Sequence, residues 1–454
     1  MPLTPNQCKE LVNGQLFPAF KHEKDRLDKI DNWLRWDHDK PHSPAQATKE
    51  YKQLADRAQS PWLGLVVTSS AQALYVDGYR GADDKDNAEP WRYWQINGMD
   101  SRQSAVHRAA LGYGLAYMTV TPGEDDFGNP MPVMRGVSPR RMTTFYKEPE
   151  HDDWPMFALR CDPAKVDGSM GYSLKLYDDN NVYFLNADST GTALTYIESR
   201  EHNLGLCPVI RYANQLDLEG RAPGEVEPFI PIAARIDQTT FDRLVVQRFA
   251  SWIVRTVAGM SVSETTETTG ETPEQTKLRL RIEDLLIAED PDTKFGSLPA
   301  TPLSGFIEAA EADIRVLAAV SQTPAHEMLG QMANLSAEAL AAARASLTAK
   351  VEERRYSFGE SHEQTLRLAS WVMGDKDAAM DRSAQVRWRD TEIRSLSQAA
   401  DALGKLAQML GVPVELLWEK IPGFTQQDVD RAEALVKEGD SFQQLNALLT
   451  AQSA

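Results

Sequence analysis

The hydrophobic positions of the chain follow a helical period towards both ends and a strand-like one between. In residues 1 to about 80, Leu11, Phe17 and Phe20, then Leu27, Ile30, Trp33 and Leu34, recur at helical spacing with charges between them, as one apolar helix face requires. The apolar stretch from Trp62 to Val76, stopped by Gly78, has the length of a buried helix. Val106, Ala109, Ala110 and Tyr113 form one face of a helix predicted from Asp100 to about Tyr113. From Tyr117 to Tyr212 the texture changes. Runs such as Tyr117–Val120, Phe157–Arg160, Leu174–Tyr177 and Val182–Phe184 are short and separated by turn residues, among them Gly123, Gly128-Asn129-Pro130, Asp178-Asp179-Asn180-Asn181 and Gly191. Such runs predict strands of an antiparallel sheet, with Pro208–Tyr212 as the last.

Helix returns after a hinge rich in glycine and proline (Gly220, Pro223, Gly224, Pro228). An amphipathic helix is predicted over 232–258, about 40 Å long at ~1.5 Å per residue. A polar interruption (Ser261–Thr272), a short amphipathic piece (Leu278–Ile287) and then Gly296, Pro299 and Pro302 lead to a helix over Ile307–Val320. Its apolar stripe is Ile307, Ala310, Ile314 and Leu317. A loop from Thr323 to Ala333 separates it from the longest helix, an alanine-rich run from Ser336 to about Met373. Asn334 is its N-cap, Glu338 favours the dipole in its first turn, and Gly359 predicts a bend. A strand-like piece, Gln385–Trp388, precedes terminal helices around 392–410, 413–419 and 425–449. The fold class is α+β, mostly helical.

A chain of 454 residues is long enough for two or three domains with a large buried core. The net charge of −18 opposes tight DNA binding, because phosphate neutralisation by a basic stripe supplies most of that affinity. It suits a surface that DNA must pass without sticking, or a protein with no DNA role. Cys8, Cys161 and Cys207 show no paired spacing, which fits a reducing cytoplasm. Met1–Lys21 lacks an apolar run of signal-peptide length, and nothing approaches the roughly eighteen apolar residues of a membrane span. Neither export nor a membrane partner is expected.

Candidate chemistry is sparse. There is no phosphate loop of the Gly-x-x-x-x-Gly-Lys-Ser/Thr type and no Gly-x-Ser-x-Gly elbow. Gly112-Tyr113-Gly114 begins like a dinucleotide fingerprint but lacks the third glycine and follows a helical pattern. Histidines and cysteines never pair at metal-ligand spacing. Acidic clusters at Asp83-Asp84-Lys85-Asp86, Glu124-Asp125-Asp126 and Glu289-Asp290 with Asp292 could in principle hold catalytic metals, but each lies beside Gly or Pro and reads first as a solvated loop. Among Trp91, Trp94, Trp252, Trp371 and Trp388, only Trp388 sits between arginines as a base-stacking residue would, so core or interface packing is the expectation for the set. No catalytic residue, metal or cofactor is predicted.

Several strings, in order along nearly the whole chain, resemble the portal proteins of long-tailed double-stranded-DNA phages, the portal family of siphophages of Gram-positive hosts. They are Trp91-x-x-Trp94-x-x-Asn97 with Asp100; Ala110-Leu111-Gly112-Tyr113-Gly114-Leu115-Ala116-Tyr117; Ser138-Pro139 ahead of Tyr146; and Cys207-Pro208-Val209-Ile210-Arg211-Tyr212-Ala213-Asn214. The most telling is Thr323-Pro324-x-His326-x-x-Leu329-Gly330 followed by Asn334-Leu335-Ser336-Ala337-Glu338-Ala339-Leu340. The resemblance implies a ring, usually of twelve subunits, at one capsid vertex, forming the channel for DNA packaging and ejection. It implies a wing (1–228 with 338–390), a first stem helix (229–259), a clip (260–302), a second stem helix (303–322), a tunnel loop (323–337) and a short helical crown (391–454). Met328, Gln331, Met332 and Asn334 would then line the channel, and Glu283 and Asp284 in the clip would meet a motor or connector. The implied partners are further copies of the chain, the terminase large subunit, head–tail adaptors, major capsid and scaffolding proteins, and duplex DNA passing without sequence specificity. The place is the virion, after assembly in the host cytoplasm. Two alternatives stay open: a metal-dependent phage nuclease using the acidic clusters, and a helical head scaffold or adaptor without a channel.

Overall fold

The computed structural model describes residues 2–42, 49–81, 88–166, 168–250, 255–258, 294–297, 302–330, 337–389 and, with breaks at 419, 422, 425–427 and 430, 396–438. The chain divides into two compact units, one of residues 1–39, 60–233 and 314–454, the other of 40–59 and 234–313.

The larger unit begins with α1 (Pro5–Leu11), a π-helical turn (Val12–Leu16) and α2 (Phe17–Leu34). Thr4 caps α1 reciprocally with Gln7, satisfying two otherwise orphaned backbone donors. In the smaller unit lies α3 (Lys49–Ala58); α4 (Trp62–Gln72) returns to the larger. The apolar stretch expected as one helix to Val76 is split: α4 ends at Gln72, and β1 (Val76–Arg80) leaves as a strand. There follow α5 (Ala88–Ile96), α6 (Met99–Tyr113), β2 (Leu115–Glu124), β3 (Pro130–Val137), β4 (Met142–Phe145), β5 (Phe157–Val166), β6 (Ser169–Tyr177), β7 (Asn181–Asp188), β8 (Leu194–Glu201) and β9 (Val209–Ala213).

These strands form two sheets, not the single one expected: an antiparallel meander β4-β5-β6-β7-β8, and a three-stranded sheet β3-β2-β9. β7 alternates buried and half-buried along its length, the signature of a sheet with one covered face. The cover is the N-terminal helical run. Cys8, Val12, Leu16, Phe17 and Phe20 pack on Leu159, Leu174, Leu176, Tyr183 and Leu185. In β2 every residue from Ala116 to Val120 is buried, because α6 and α10 pack against this sheet while Tyr117 joins a cluster with Met142, Ala158 and Tyr177 of the meander.

α7 (Ile230–Ala250) enters the smaller unit, β10 (Arg255–Ala258) pairs antiparallel with β11 (Lys294–Ser297), and α8 (Ser304–Val320) returns. The helix expected to run to 258 thus gives way to a strand over Arg255-Thr256-Val257-Ala258, whose β-branched centre suits a ladder. Within the smaller unit, Arg235 of α7 pairs with Asp313 of α8 at 2.7 Å. Ala55, Ala58, Tyr51 and Leu54 of α3 pack on Phe241, Leu244 and Val245 of α7.

The segment expected as a loop after α8 contains the short α9 (Ala325–Leu329), and α10 (Ala337–Val372) is the longest helix. α10 runs unbroken through Gly359, which faces Val386 and Trp388. α11 (Lys376–Met380) precedes β12 (Gln385–Trp388), the strand expected there, which pairs with β1. α12 (Leu396–Leu410), α13 (Glu415–Trp418) and helical residues over 431–438 follow.

Candidate functional site

The segment between α8 and α10 is the one the sequence marks as functional, and its root is built in detail. α8 ends in a Schellman motif: Thr323 N donates to the Ala318 carbonyl at 3.0 Å and Gln322 N to that of Ala319 at 3.3 Å. The residue between helix and loop must be left-handed in this motif, a place usually taken by glycine. Here it is Gln322, at φ +55°. Ser321 Oγ donates to Thr323 Oγ1 at 3.0 Å, and both residues are buried. α9 is capped by Gly330 at φ +64° and tied to the long helix by Arg344, whose Nε and Nη2 reach Glu327 Oε1 at 3.0 and 2.5 Å.

Of the predicted channel residues, Met328 is 6% exposed in the single chain. It packs α9 down against the single chain. Gln331, Met332 and Asn334, and the clip residues Glu283 and Asp284, lie outside the described residues.

Beneath the loop root, α10 carries a buried ion cluster. Lys350 Nζ donates to Glu225 Oε2 at 3.1 Å and to the Ser321 carbonyl at 2.9 Å. Arg354 Nε donates to Asn214 Oδ1 at 2.6 Å and lies 3.7 Å from Glu225 Oε1. The side chains of Lys350, Arg354 and Glu225 are 5%, 3% and 8% exposed, so two cations share one buried carboxylate. Burial pulls the Lys350 ammonium below its ordinary value although Glu225 opposes the shift. Ser70 Oγ also donates to Glu225 at 3.3 Å.

No local pattern offers a reason for Gly112-Tyr113-Gly114 once a nucleotide site is set aside. The structure supplies one. Gly114 closes α6 at φ +94°, and a Cβ there would stand 1.9 Å from the Ala222 carbonyl oxygen. A Cβ on Gly224 would stand 2.4 Å from the Gly112 carbonyl oxygen. Two backbones therefore touch along a glycine seam, and Glu225 N donates to the Leu111 carbonyl at 2.7 Å, which places the carboxylate in front of Lys350.

Deeper along α10, two fully buried histidines meet. His107 Nδ1 lies 3.2 Å from the Leu74 carbonyl, His107 Nε2 lies 2.8 Å from His362 Nε2, and His362 Nδ1 lies 3.0 Å from Tyr212 Oη. Tyr212 Oη in turn lies 2.9 Å from Thr365 Oγ1. A carbonyl only accepts, so His107 must carry its proton on Nδ1 and accept on Nε2. His362 then donates from Nε2 and accepts from Tyr212 on Nδ1, while the Thr365 hydroxyl donates to the Ser361 carbonyl at 2.8 Å. Protons thus point one way, from Tyr212 to Leu74, with both imidazoles neutral. Burial holds His107 down to about 4 and His362 well below the ordinary histidine value. Phe358, Trp94 and Trp388 enclose the pair.

The other sequence candidates resolve into structure. Asp125 at the β2–β3 tip accepts from Phe127 N, Asn129 N and Asn129 Nδ2, a solvated turn, with the Asn129 bonds holding its carboxyl below the usual range. Asp83–Asp86 and Glu289, Asp290 and Asp292 lie outside the described residues, as does Trp252. Trp94 Nε1 donates to Asp100 at 3.0 Å and Trp371 Nε1 to the Leu204 carbonyl at 3.0 Å. Asn97 bridges the Pro132 carbonyl and Met134 N at 2.8 Å each, so the Trp-x-x-Trp-x-x-Asn string locks α5 to α6 and to β3. The three cysteines are buried thiols. Among the described residues no group of His, Cys, Asp and Glu could hold a metal ion, and no helix is long and apolar enough to cross a membrane.

Comparison with known proteins closes the question of family. The chain matches the model described as "Phage portal protein, SPP1 Gp6-like" over residues 14–443. It is 29% identical to the portal protein of Mycobacterium phage D29 over 364 residues, 75% of this chain and 71% of that one. It is 28% identical to the portal protein of Mycobacterium phage L5 over 376 residues, 79% and 74% of the two chains. A solved structure titled as the neck of a native GTA particle computed with C12 symmetry aligns over 82% of this chain and 92% of its own, with a TM-score of 0.43 and 12% identity. A family match of that length places the chain in the SPP1 Gp6-like family of phage portal proteins.

Proposed function

We propose that the chain is the subunit of a closed ring, usually of twelve copies in this family, that forms the channel for DNA packaging and ejection at one capsid vertex. The observation that carries this reading is the outward face of α8. Ile314, Leu317 and Ala318 are buried, whereas Gly305, Ala309, Ala312, Val316 and Ala319 form a second, exposed stripe at the same helical spacing. Val316 and Val320 are 45% and 51% exposed. A helix with apolar faces on two sides needs a partner that the described residues do not supply, and a neighbouring copy in a ring does.

In this reading α7 and α8 are the stem helices, residues 260–302 the clip, 323–337 the tunnel loop and 391–454 the crown. Gln331 and Asn334 meet DNA in the loop, while Glu283 and Asp284 meet the terminase large subunit or, later, a head–tail adaptor. Capsid and scaffolding proteins surround the ring. The net charge of −18 then acts as a repelling wall that keeps phosphates from sticking. Packaging energy comes from the separate motor, and the chain itself has no ATPase or nuclease activity.

Light scattering on the purified chain tests the assembly. The parent should form one species many times the 50.6 kDa subunit. Val316→Asp should give monomers with unchanged circular dichroism. A parent that stays monomeric across salt and concentration, or a Val316→Asp chain that assembles like the parent, would count against the ring.

A further inference from the structure

Lys350 makes two contacts that belong to different parts of the chain. The Glu225 carboxylate sits just before α7, on a backbone held to α6 by the glycine seam. The Ser321 carbonyl belongs to the last turn of α8, where the left-handed Gln322 sends the chain into the loop. An ammonium at a helix C-terminus is favoured by the helix dipole and here replaces the water that would otherwise satisfy the carbonyl. One side chain on the rigid α10 therefore holds the entry to one long helix and the exit from the other.

Lys350 is not the only cation beside Glu225. Arg354 lies 3.7 Å from its other oxygen, and also reaches Asn214 and, at 3.2 Å, Glu353. Asn214 Nδ2 holds the Pro223 carbonyl at 2.9 Å, on the same strand-to-helix connection. Lys350 is the second cation on one carboxylate, and what it adds is the bond to Ser321.

We propose that Lys350 is a positioning residue of the channel. By holding Glu225 and the Ser321 carbonyl together it couples the root of the loop, Ser321–Thr323, to the connection that leads into α7, so that the two shift as one. This rests on the reading of that loop as the channel constriction.

Two measurements test it, the first independent of any channel. In Lys350→Met, Arg354 stays beside Glu225, so the carboxylate keeps a cation and the chain should fold. Amide exchange should then rise roughly a hundredfold at Glu225 and at Ser321, Gln322 and Thr323 together, as loss of a buried charged partner implies. Leu174 in the five-stranded meander should not change. Lys350→Arg, which can reach both acceptors, should restore protection. Should Lys350→Met fail to fold, Glu225→Gln approaches the clamp from the other side and should raise exchange at 321–323. A rise confined to one segment, or no rescue by Lys350→Arg, would overturn the coupling. The second measurement is packaging by assembled rings: Lys350→Met should slow it about tenfold or more, with Lys350→Arg at the parent rate. Normal packaging by Lys350→Met rings that stall when Gln331 and Asn334 are made arginine would keep the channel and sink this proposal. Normal packaging by both variants would sink the channel reading itself.

Discussion

The buried histidine relay makes acid a specific threat to the larger unit. His107 is held down to about 4 by burial, while in an unfolded chain it titrates near the ordinary 6.5. Above about pH 6.5 both states are neutral and the relay carries no penalty. As pH falls below that value the unfolded chain takes up a proton that the folded chain refuses, so stability is lost until the folded group titrates as well. At pH 5 the difference from His107 alone is about 2 kcal/mol, from roughly 1.4 kcal/mol per pKa unit. His362, shifted in the same direction, adds to it. His107→Gln keeps a donor for Leu74 and an acceptor for His362 without a titrating ring. Urea unfolding followed by tryptophan fluorescence, with Trp94 and Trp388 beside the pair, should be compared at pH 7.5 and 5.0 in both proteins. Buried carboxylates such as Asp77 and Glu363, raised by desolvation, contribute equally to both and cancel in the comparison. The parent should lose about 2 kcal/mol more than the variant on acidification. Equal losses would show that the imidazoles are not held neutral by the fold.

Other outcomes follow from the same geometry. Gly224→Ala should destabilise by about 3 kcal/mol or more, since the added methyl meets carbonyl and amide backbone that cannot move aside; a melting curve within a degree of the parent would refute the seam. Gln322→Gly relieves a left-handed glutamine and should raise stability by up to about 1 kcal/mol, read in a urea titration; a loss would mean that the glutamine side chain matters more than its backbone. Gln331→Arg with Asn334→Arg should leave ring assembly intact while slowing packaging most at low salt, because arginines hold phosphates; normal packaging would exclude the loop from the channel wall.

Most of the architecture follows from local pattern, and what does not is pairing between distant segments. The alternation of β7 and the bounds of α6 and β12 are legible because one covered face imposes its period on the residues. Residues 255–258 continue a helical stripe and read as helix until their partner at 294–297 is known. Likewise Val76–Arg80 reads as the end of an apolar helix until β12 is placed beside it. The family strings pointed to the right segments but not to their reasons: Asn97 as a bridge, Gly114 and Gly224 as a seam. Lys350 and Arg354 do carry a sequence signal. They fall with Leu347, Val351 and Phe358 on one stripe of α10, all buried, and a charge inside an apolar stripe needs a partner. No local pattern marks Glu225 or Ser321 as those partners, and none joins His107 to His362.

The contact between His107 and His362 spans 255 residues of sequence, with the whole of the smaller unit's 234–313 segment between them. On a ribosome adding roughly 5–20 residues per second, His107 waits on the order of 10–50 s for its partner to be made. Until then β2 and α6 lack the helix that covers them. The interior of the larger unit therefore cannot close on the growing chain until α10 emerges, and that same helix carries the root of the loop and the clamp beneath it. The timing of synthesis therefore sets when a folded larger unit first exists.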